Sequence, residues 1–568
     1  MSSRNSTAVP TATTPLLQPS LNRESDRSAG PSRSTSPSRS SEHLHTLIHR
    51  SRSRRRERRR KPISPFTPSI HLIPAIFATV LFLAIALIAW DVSSLGNCYL
   101  ASLCRVLGDN GEKGWWDGQG PYAPYRSMGK GGGQVGLPRG CEVDQVTLLH
   151  RHTARYPTTS AGKCMLRALK KLRNREVKIP RHHPELVFLA KADLELKDWV
   201  FDGLMDQGRK AAWKSGVDIA KTYKTFLSHA EGVFTRSSGG GRIVETAGYW
   251  LEGFRGDKFK LTDKSKLPPA DLVIPEDETF NNTLSVHSCP AFESLSPSPG
   301  ETAQRSLNPL LEPALSRLNT LLRPQPQLEV DDLICLADMC GYDSQAKGTE
   351  WIEWSKWCGI FGSEEWEILG YGKDLKRYYE VGEGSTYGPT MGAGYINEVI
   401  ARLTDTEPID STITNRTLDS DERTFPRGGK RFFVDFGHDN EILEILAAMG
   451  ILKQHRPLPL DQVPLKRTFI LSEIVPFGAR LTFERIACDM GNWELDPPTE
   501  GDGPDRGNDG RKDYVRILIN DKVHRVNHLA CEQSGLVEHG LCELESYVES
   551  QQFATTDVDW GICYDHDK

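Results

Sequence analysis

Along the chain, apolar and polar positions fall into distinct regimes. Residues 1–65 are rich in Ser, Arg, Pro and Thr and show neither helical period nor strand alternation, which predicts a disordered tail. Leu72 to Trp90, LIPAIFATVLFLAIALIAW, is 19 residues with no charge and no polar face. That is close to the ~20 needed to cross a hydrocarbon core ~30 Å thick, so a transmembrane helix is expected over 70–91. Residues 92–135, which end in GKGGGQVG and its flanks, read as a glycine-rich stalk and domain entry. From 136 to 568, short apolar runs alternate with helical spacing, which predicts one large α/β domain.

Three strand-to-helix junctions in that domain look alike. EVDQVTLL reads as a strand, HRHTARYP as a turn, and Met165, Leu166, Leu169 and Leu172 as one helix face, with Pro157 and the Thr158–Ser160 run at its start. In the second junction a short strand delivers Arg236, a Ser-Gly loop follows, and Val244, Ala247, Leu251 and Phe254 share a helix face. In the third, FFVDF is the strand, His438 and Asp439 stand at its end, and Ile442, Leu443, Ile445, Leu446 and Met449 define a helix that Gly450 caps. In an open parallel sheet such turns gather at one edge, where helix amino termini favour anions. Arg151, Arg155 and Arg236 with imidazoles at that edge suit phosphate, whose oxygens match the planar guanidinium fork. A pocket for storage alone has no use for the carboxylate of Asp439. Chemistry has: a proton donor for a leaving oxygen, and a histidine among arginines as nucleophile. No metal and no cofactor are required.

These residues resemble a known family. RHTARYP is similar to the RHGxRxP signature of the histidine acid phosphatases, and His438-Asp439 to its second motif. FTRSSGGGRIVETAGYWLEGF, PEDETFNNTL, INEVIARLT, FFVDFGHDN, VPFGARLTFE and LINDKV resemble segments of the fungal phytase-like branch in the same order. The resemblance implies His152 as the phosphorylated nucleophile, Arg151, Arg155 and Arg236 as the phosphate clamp, His438 as a further phosphate ligand, and Asp439 as the proton donor. It implies a histidine-phosphatase-like doubly wound α/β sheet domain with a smaller, mostly α-helical inserted domain within about 160–400. Residues 160 to about 235 and parts of 300–400 would supply the insert. It also pairs Cys141 with Cys488, Cys289 with Cys563, Cys340 with Cys358 and Cys531 with Cys542, while Cys98 and Cys104 would form a fifth bridge. Cys164 and Cys335, on apolar helical patterns, are expected as buried free thiols.

Charge then fixes the orientation. Residues 1–61 hold 14 Lys and Arg against four Asp and Glu, so a chain of net charge −5 carries −15 on the remainder. The cluster RSRSRRRERRRK alone would suit a nuclear-import or nucleic-acid patch, but it stops just before the membrane-length run. The positive-inside bias makes the tail cytoplasmic and the chain a single-pass type II membrane protein with its domain lumenal or extracellular, in the secretory pathway, vacuole or cell surface. All twelve cysteines lie beyond the apolar run, where an oxidising compartment lets disulfides persist. Asn281 and Asn415 head glycosylation sequons on the same side. A nucleic-acid partner is not expected, because the tail lies across the membrane from the domain and lacks interleaved aromatics.

The expected partner is a small phosphomonoester or inositol phosphate. The domain's −15 disfavours long-range steering of a highly charged anion, so a general phosphomonoesterase competes with a phytase. The family's glycine is Thr153 here, and a threonine forced to positive φ would displace His152. That departure supports the rival reading, a catalytically impaired phosphatase-fold binding protein.

Overall fold

Strand β1 (Cys141–Arg151) carries the first motif at its tip and is buried from Asp144 onward. A computed structural model of the chain describes residues 115–565 apart from 130–135, 174–182, 184, 191, 193–195, 278, 286, 288, 323–326, 349–353, 430, 490–509 and 534–535. The other strands are β2 (Gly232–Ser238), β3 (Leu272–Ile274), β4 (Arg431–Gly437), β5 (Arg480–Asp489), β6 (Arg511–Ile519), β7 (Lys522–His524) and β8 (Leu541–Glu543). They form one eight-stranded sheet of order β3-β2-β4-β1-β5-β6-β7, with β8 beside β6. The pairs β1/β4, β2/β4 and β2/β3 are parallel, whereas β5, β6, β7 and β8 join antiparallel. The doubly wound sheet expected from the sequence is therefore confined to the half that carries the motifs.

Eight longer helices cover the sheet and extend from it: α1 (Thr159–Leu172), α2 (Asp206–Thr222), α3 (Gly241–Phe254), α4 (Asn308–Leu321), α5 (Val330–Ala346), α6 (Ser363–Glu380), α7 (Gly388–Thr404) and α8 (Asp439–Ala448). Helix α1 starts where the Pro-Thr run predicts, with the Thr158 side chain accepting from Ala161 N. Ile219 of α2 and Ile243, Ala247 and Trp250 of α3 pack on Val146, Leu148, Phe432 and Val434 from one sheet face. Ile396 and Val399 of α7 and Ile442 and Ile445 of α8 pack with Leu149, Leu481, Phe483 and Ile517 from the other. Such alternation along β1, with Leu148 to one core and Leu149 to the next, is the two-residue strand period at work.

A second core joins Met165 and Leu169 of α1, Leu318 of α4, Leu333 and Leu336 of α5, and Trp366 of α6. These helices come from the segments expected to supply the helical insert, but one expected segment packs elsewhere. Residues 206–222 belong to the sheet, because the apolar positions of α2 face α3 and the strands. The folded unit also begins earlier than 136: Trp115, Trp116, Gln119 and Ala123, placed in the stalk by their glycine-rich neighbourhood, are buried.

Disulfides join Cys141–Cys488, Cys289–Cys563, Cys340–Cys358 and Cys531–Cys542. Cys141 and Cys488 are direct partners in the β1/β5 ladder. Cys164 and Cys335, expected as free thiols, form a further bridge with Cα atoms 5.9 Å apart. The apolar faces that bury each cysteine are the faces on which α1 and α5 pack together, so the same pattern that hides them also brings them into range. Cys98 and Cys104, the tail over 1–65, the apolar run over 70–91 and most of the stalk lie outside the described residues, among which no helix is long and apolar enough to cross a membrane. The two sequons lie side by side, with Asn281 exposed and Asn415 Nδ2 donating to Asn281 O at 3.0 Å.

The Cys164–Cys335 bridge closes a separation of 171 residues and ties the helix after the first motif to the insert. Replacing both cysteines by serine is expected to cost about 2–5 kcal/mol. A denaturant series on the oxidised double variant checks this; an unchanged midpoint would mean that the bridge does not hold the insert.

Candidate active site

Parallel register brings the motifs together. Arg151 pairs with Gly437 across β1/β4, and Ser237 with Phe436 across β2/β4, so the residues that follow all leave the same sheet edge. His152 N donates to Gly437 O (3.0 Å) and Gly478 N to His152 O (3.1 Å), which clamps the loop after β1 between the ends of β4 and β5. The rings of His152 and His438 meet edge to face at 5.7 Å. His150 lies one step inside β1 and takes no part: burial holds it neutral, down to about 3, with Nε2 2.8 Å from Ser215 Oγ.

His152 Nδ1 donates to the Thr153 carbonyl at 3.0 Å, which leaves the Nε2 lone pair for a substrate. Burial, then the charges of Arg151, Arg155 and Arg242, hold this imidazole neutral well below its ordinary value. Arg151 is fully buried; its Nη1 donates to Pro121 O and Val475 O, its plane lies 4.8 Å from the Phe477 ring, and Nη2 stands 3.1 Å from Asp439 Oδ2. Arg155 donates from Nη1 to Tyr156 O (2.9 Å) beneath Tyr342. Among the described residues, the buried Nε–H groups of Arg151, Arg155 and Arg242 meet no protein acceptor. Buried N–H groups are rarely left so, and an oxyanion would satisfy them.

Arg236, expected in the clamp, is elsewhere. It sits inside β2 opposite Asp435, donates to Asp435 through Nε (2.8 Å) and Nη2 (2.9 Å), and reaches Glu398 at 2.6 Å. Strand β2 runs on through Ser238, which leaves Arg236 two residues short of the tip. Arg242, in the first turn of α3, takes the position at the edge and donates from Nη2 to His438 Nδ1 at 3.2 Å. The signal was present in the sequence as the second arginine of the same segment, six residues on.

His438 caps α8 and Asp439 is its first residue, at the positive end of the helix. Burial would raise the Asp439 carboxyl, but Arg151, Arg377 and Arg155 outweigh it and hold the group well below the usual carboxylate range. Arg377, from α6 of the insert, stands 3.9 Å from Asp439 Oδ2. Glu276, just past β3, accepts from His438 Nε2 (2.8 Å) and Ser238 Oγ (2.5 Å). Burial opposes its ionisation, yet the hydrogen bonds from His438 and Ser238 and the charge of Arg242 bring it down to about 2. Nothing in the spacing singled out Arg377, whose place depends on how the insert docks.

Thr153 does not have positive φ. Its hydroxyl turns away from the pocket and donates to Gly208 O at 2.8 Å, and its N–H donates to Thr246 Oγ1 at 3.3 Å. Gly208 is needed there, because a Cβ would stand 2.0 Å from Ala154 O. The threonine thus ties the nucleophile loop to α2 and α3, and the strain that would have impaired the site is absent.

The model of the histidine phosphatase superfamily, branch 2, matches residues 142–520. The chain belongs to that family. Phytase A of Emericella nidulans is 32% identical over 452 residues, 78% of this chain and 90% of that protein. Phytase A of Aspergillus fumigatus is 31% identical over 453 residues, with 78% and 90% covered. Among solved structures, the phytase from D. castellii superposes with a TM-score of 0.59 at 23% identity, over 80% of this chain and 88% of that one. The Bifidobacterium longum multiple inositol polyphosphate phosphatase in complex with inositol hexasulfate gives 0.53 at 12% identity, over 78% and 98%. At those identities the structures share the fold. The protein is a phytase-like histidine acid phosphatase.

Two arginines of this phosphatase should separate cleanly. Arg242→Ala is expected to weaken competitive inhibition by inorganic phosphate at least ~10-fold with little change in stability. Arg236→Ala removes the cation paired with buried Glu398 and one of the two paired with Asp435, and should cost about 3–5 kcal/mol. Inhibition constants and melting curves on both variants check this; the reverse pattern would restore Arg236 to the clamp.

Proposed function

We propose that the protein is a membrane-anchored phosphatase that hydrolyses phosphate monoesters, phytate (myo-inositol hexakisphosphate) among them, through a phosphohistidine on His152. The observation that carries this is a neutral, buried imidazole with its Nε2 free, set among Arg151, Arg155 and Arg242, whose buried Nε–H groups meet no protein acceptor among the described residues. Nε2 attacks phosphorus, the P–O bond to the alcohol breaks, and the arginines with His438 hold the equatorial oxygens. Asp439 is ionised in the free protein. A bound dianion offsets the charges of Arg151, Arg155 and Arg377, so the carboxyl gains a proton and delivers it to the leaving alkoxide. Water then attacks the phosphohistidine while the Asp439 carboxylate takes its proton, which returns His152 and releases phosphate. Phytase A relatives at 31–32% identity support phytate as a substrate. The intact acid, nucleophile and loop geometry favour this over the impaired binding protein.

The anchor is the charge-free run Leu72–Trp90 behind its basic cluster, and five disulfides beyond it support a lumenal or extracellular domain. Protease added to intact microsomes is expected to remove only the basic tail; digestion of the domain with a protected tail would reverse the orientation.

For the chemistry, His152→Ala should abolish phosphate release and acid-quenched labelling of the protein. Asp439→Asn should slow phytate and alkyl phosphates ~10²–10⁴-fold but p-nitrophenyl phosphate far less, since its leaving group needs little protonation. Equal losses on both substrates would remove Asp439 from the donor role, and full activity of His152→Ala would sink the mechanism.

A further inference from the structure

We propose that Glu276 is a positioning residue that switches His438 from an acceptor in the free protein to a cationic donor on bound phosphate; this rests on the reading of the site as a phosphatase centre. In the free protein both nitrogens of His438 are engaged, Nδ1 with Arg242 Nη2 at 3.2 Å and Nε2 with Glu276 Oε1 at 2.8 Å. A guanidinium only donates, so Nδ1 is the acceptor and Nε2 carries the hydrogen, which points at the carboxylate. A neutral His438 in this tautomer has no N–H left for a phosphate oxygen. When phosphate draws the Arg242 N–H to itself, Nδ1 is released, and the imidazole becomes a donor by taking one proton there. That proton comes from the monoanionic monoester or from solvent. The Nε2–H remains on Glu276, whose negative charge stabilises the imidazolium.

The surroundings are built for the carboxylate. β2 and β3 run parallel, with Ser238 opposite Ile274, so the chain leaves both strands at the same edge and Glu276 folds back over the end of β2. Ser238 Oγ donates to the same oxygen that His438 uses. The Ser-Gly loop makes the room: a Cβ on Gly240 would lie 2.6 Å from Glu276 Oε1, and one on Gly239 would lie 2.9 Å from Ile274 O. The glycines here admit a carboxylate to the edge of a site otherwise dominated by arginine. His438 is faced by Arg242 from α3, Glu276 from the β3 exit, His152 from the tip of β1, and Asp439 and Glu441 on its own helix. Of these, Glu276 alone is hydrogen-bonded to the imidazole through a carboxylate.

The test uses Glu276→Gln in the disulfide-bonded protein, with Glu276→Asp as the conservative variant. The readouts are kcat and KM on p-nitrophenyl phosphate from pH about 3 to 7, and the affinity for inorganic phosphate by calorimetry over the same range. The glutamine variant should bind phosphate ~10- to 100-fold more weakly, chiefly in KM, which is the scale on which second-layer partners of a ligand usually act. Loss of the negative charge makes His438 harder to protonate, so phosphate binding should fail at lower pH than in the wild type, and the aspartate should restore part of it. In a His438→Ala background the same substitution should have no further effect. A uniform loss at every pH, or an equal loss with and without His438, would overturn the proposal. Phosphate binding separates the two failures: a wild type that turns over no monoester but binds phosphate with this Glu276-dependent profile would defeat the enzyme reading alone. An active wild type whose glutamine variant keeps its pH profile would defeat the role of Glu276 alone.

Discussion

The buried guanidinium of Arg151 is the constraint on which the active site depends. An ion of that size taken out of water costs several kcal/mol unless it is paired and hydrogen-bonded. Here the compensation comes from separate parts of the chain: the carbonyls of Pro121 and Val475, the face of Phe477, and the carboxylate of Asp439. Those contacts draw the segment before β1, the approach to β5 and the first turn of α8 onto one point. With that point fixed, the next residue, His152, can stand only where the loop places it, between Gly437 O and Gly478 N.

The same charge sets the chemistry. Burial with the charges of Arg151, Arg155 and Arg242 keeps His152 unprotonated, and Arg151, Arg377 and Arg155 keep Asp439 ionised, which is the right state for a nucleophile and the wrong one for a proton donor. The contradiction resolves if the ligand is itself an anion, because its charge relieves the carboxyl as it arrives. A site tuned this way is quiet without phosphate and armed by it. Glu276 adds an ionised carboxylate beside His438, whereas burial pushes the Glu441 carboxyl up to about 7, so the edge of the sheet is not a purely basic patch.

Arg236 and Arg402 show what a structural solution to buried charge looks like in the same fold. Both are tied to Asp435, whose carboxylate also accepts from Tyr395, and the Arg402 plane lies against Phe425 and Phe433. The Arg236 guanidinium is matched to protein carboxylates through both Nε and Nη2. Arg151, Arg155 and Arg242 at the sheet edge also have protein partners, but each keeps a buried Nε–H that meets no protein acceptor among the described residues.

The sequence by itself determined the strand-to-helix junctions and the tips that carry His152, His438 and Asp439, because each rests on local periodicity or turn residues. The length of one strand was not local in that sense. Whether β2 ends before or after Ser238 decides whether Arg236 or Arg242 reaches the pocket, and pairing with β4 settled it. Spacing could not place Arg377, because it arrives on a helix of the insert, nor join Cys164 to Cys335, whose contact exists only once α1 and α5 pack. Thr153 is the sharpest case. Its identity suggested strain, while its actual φ and its bond to Gly208 were fixed by where α2 lies against the loop, a long-range packing that no window of sequence around residue 153 contains.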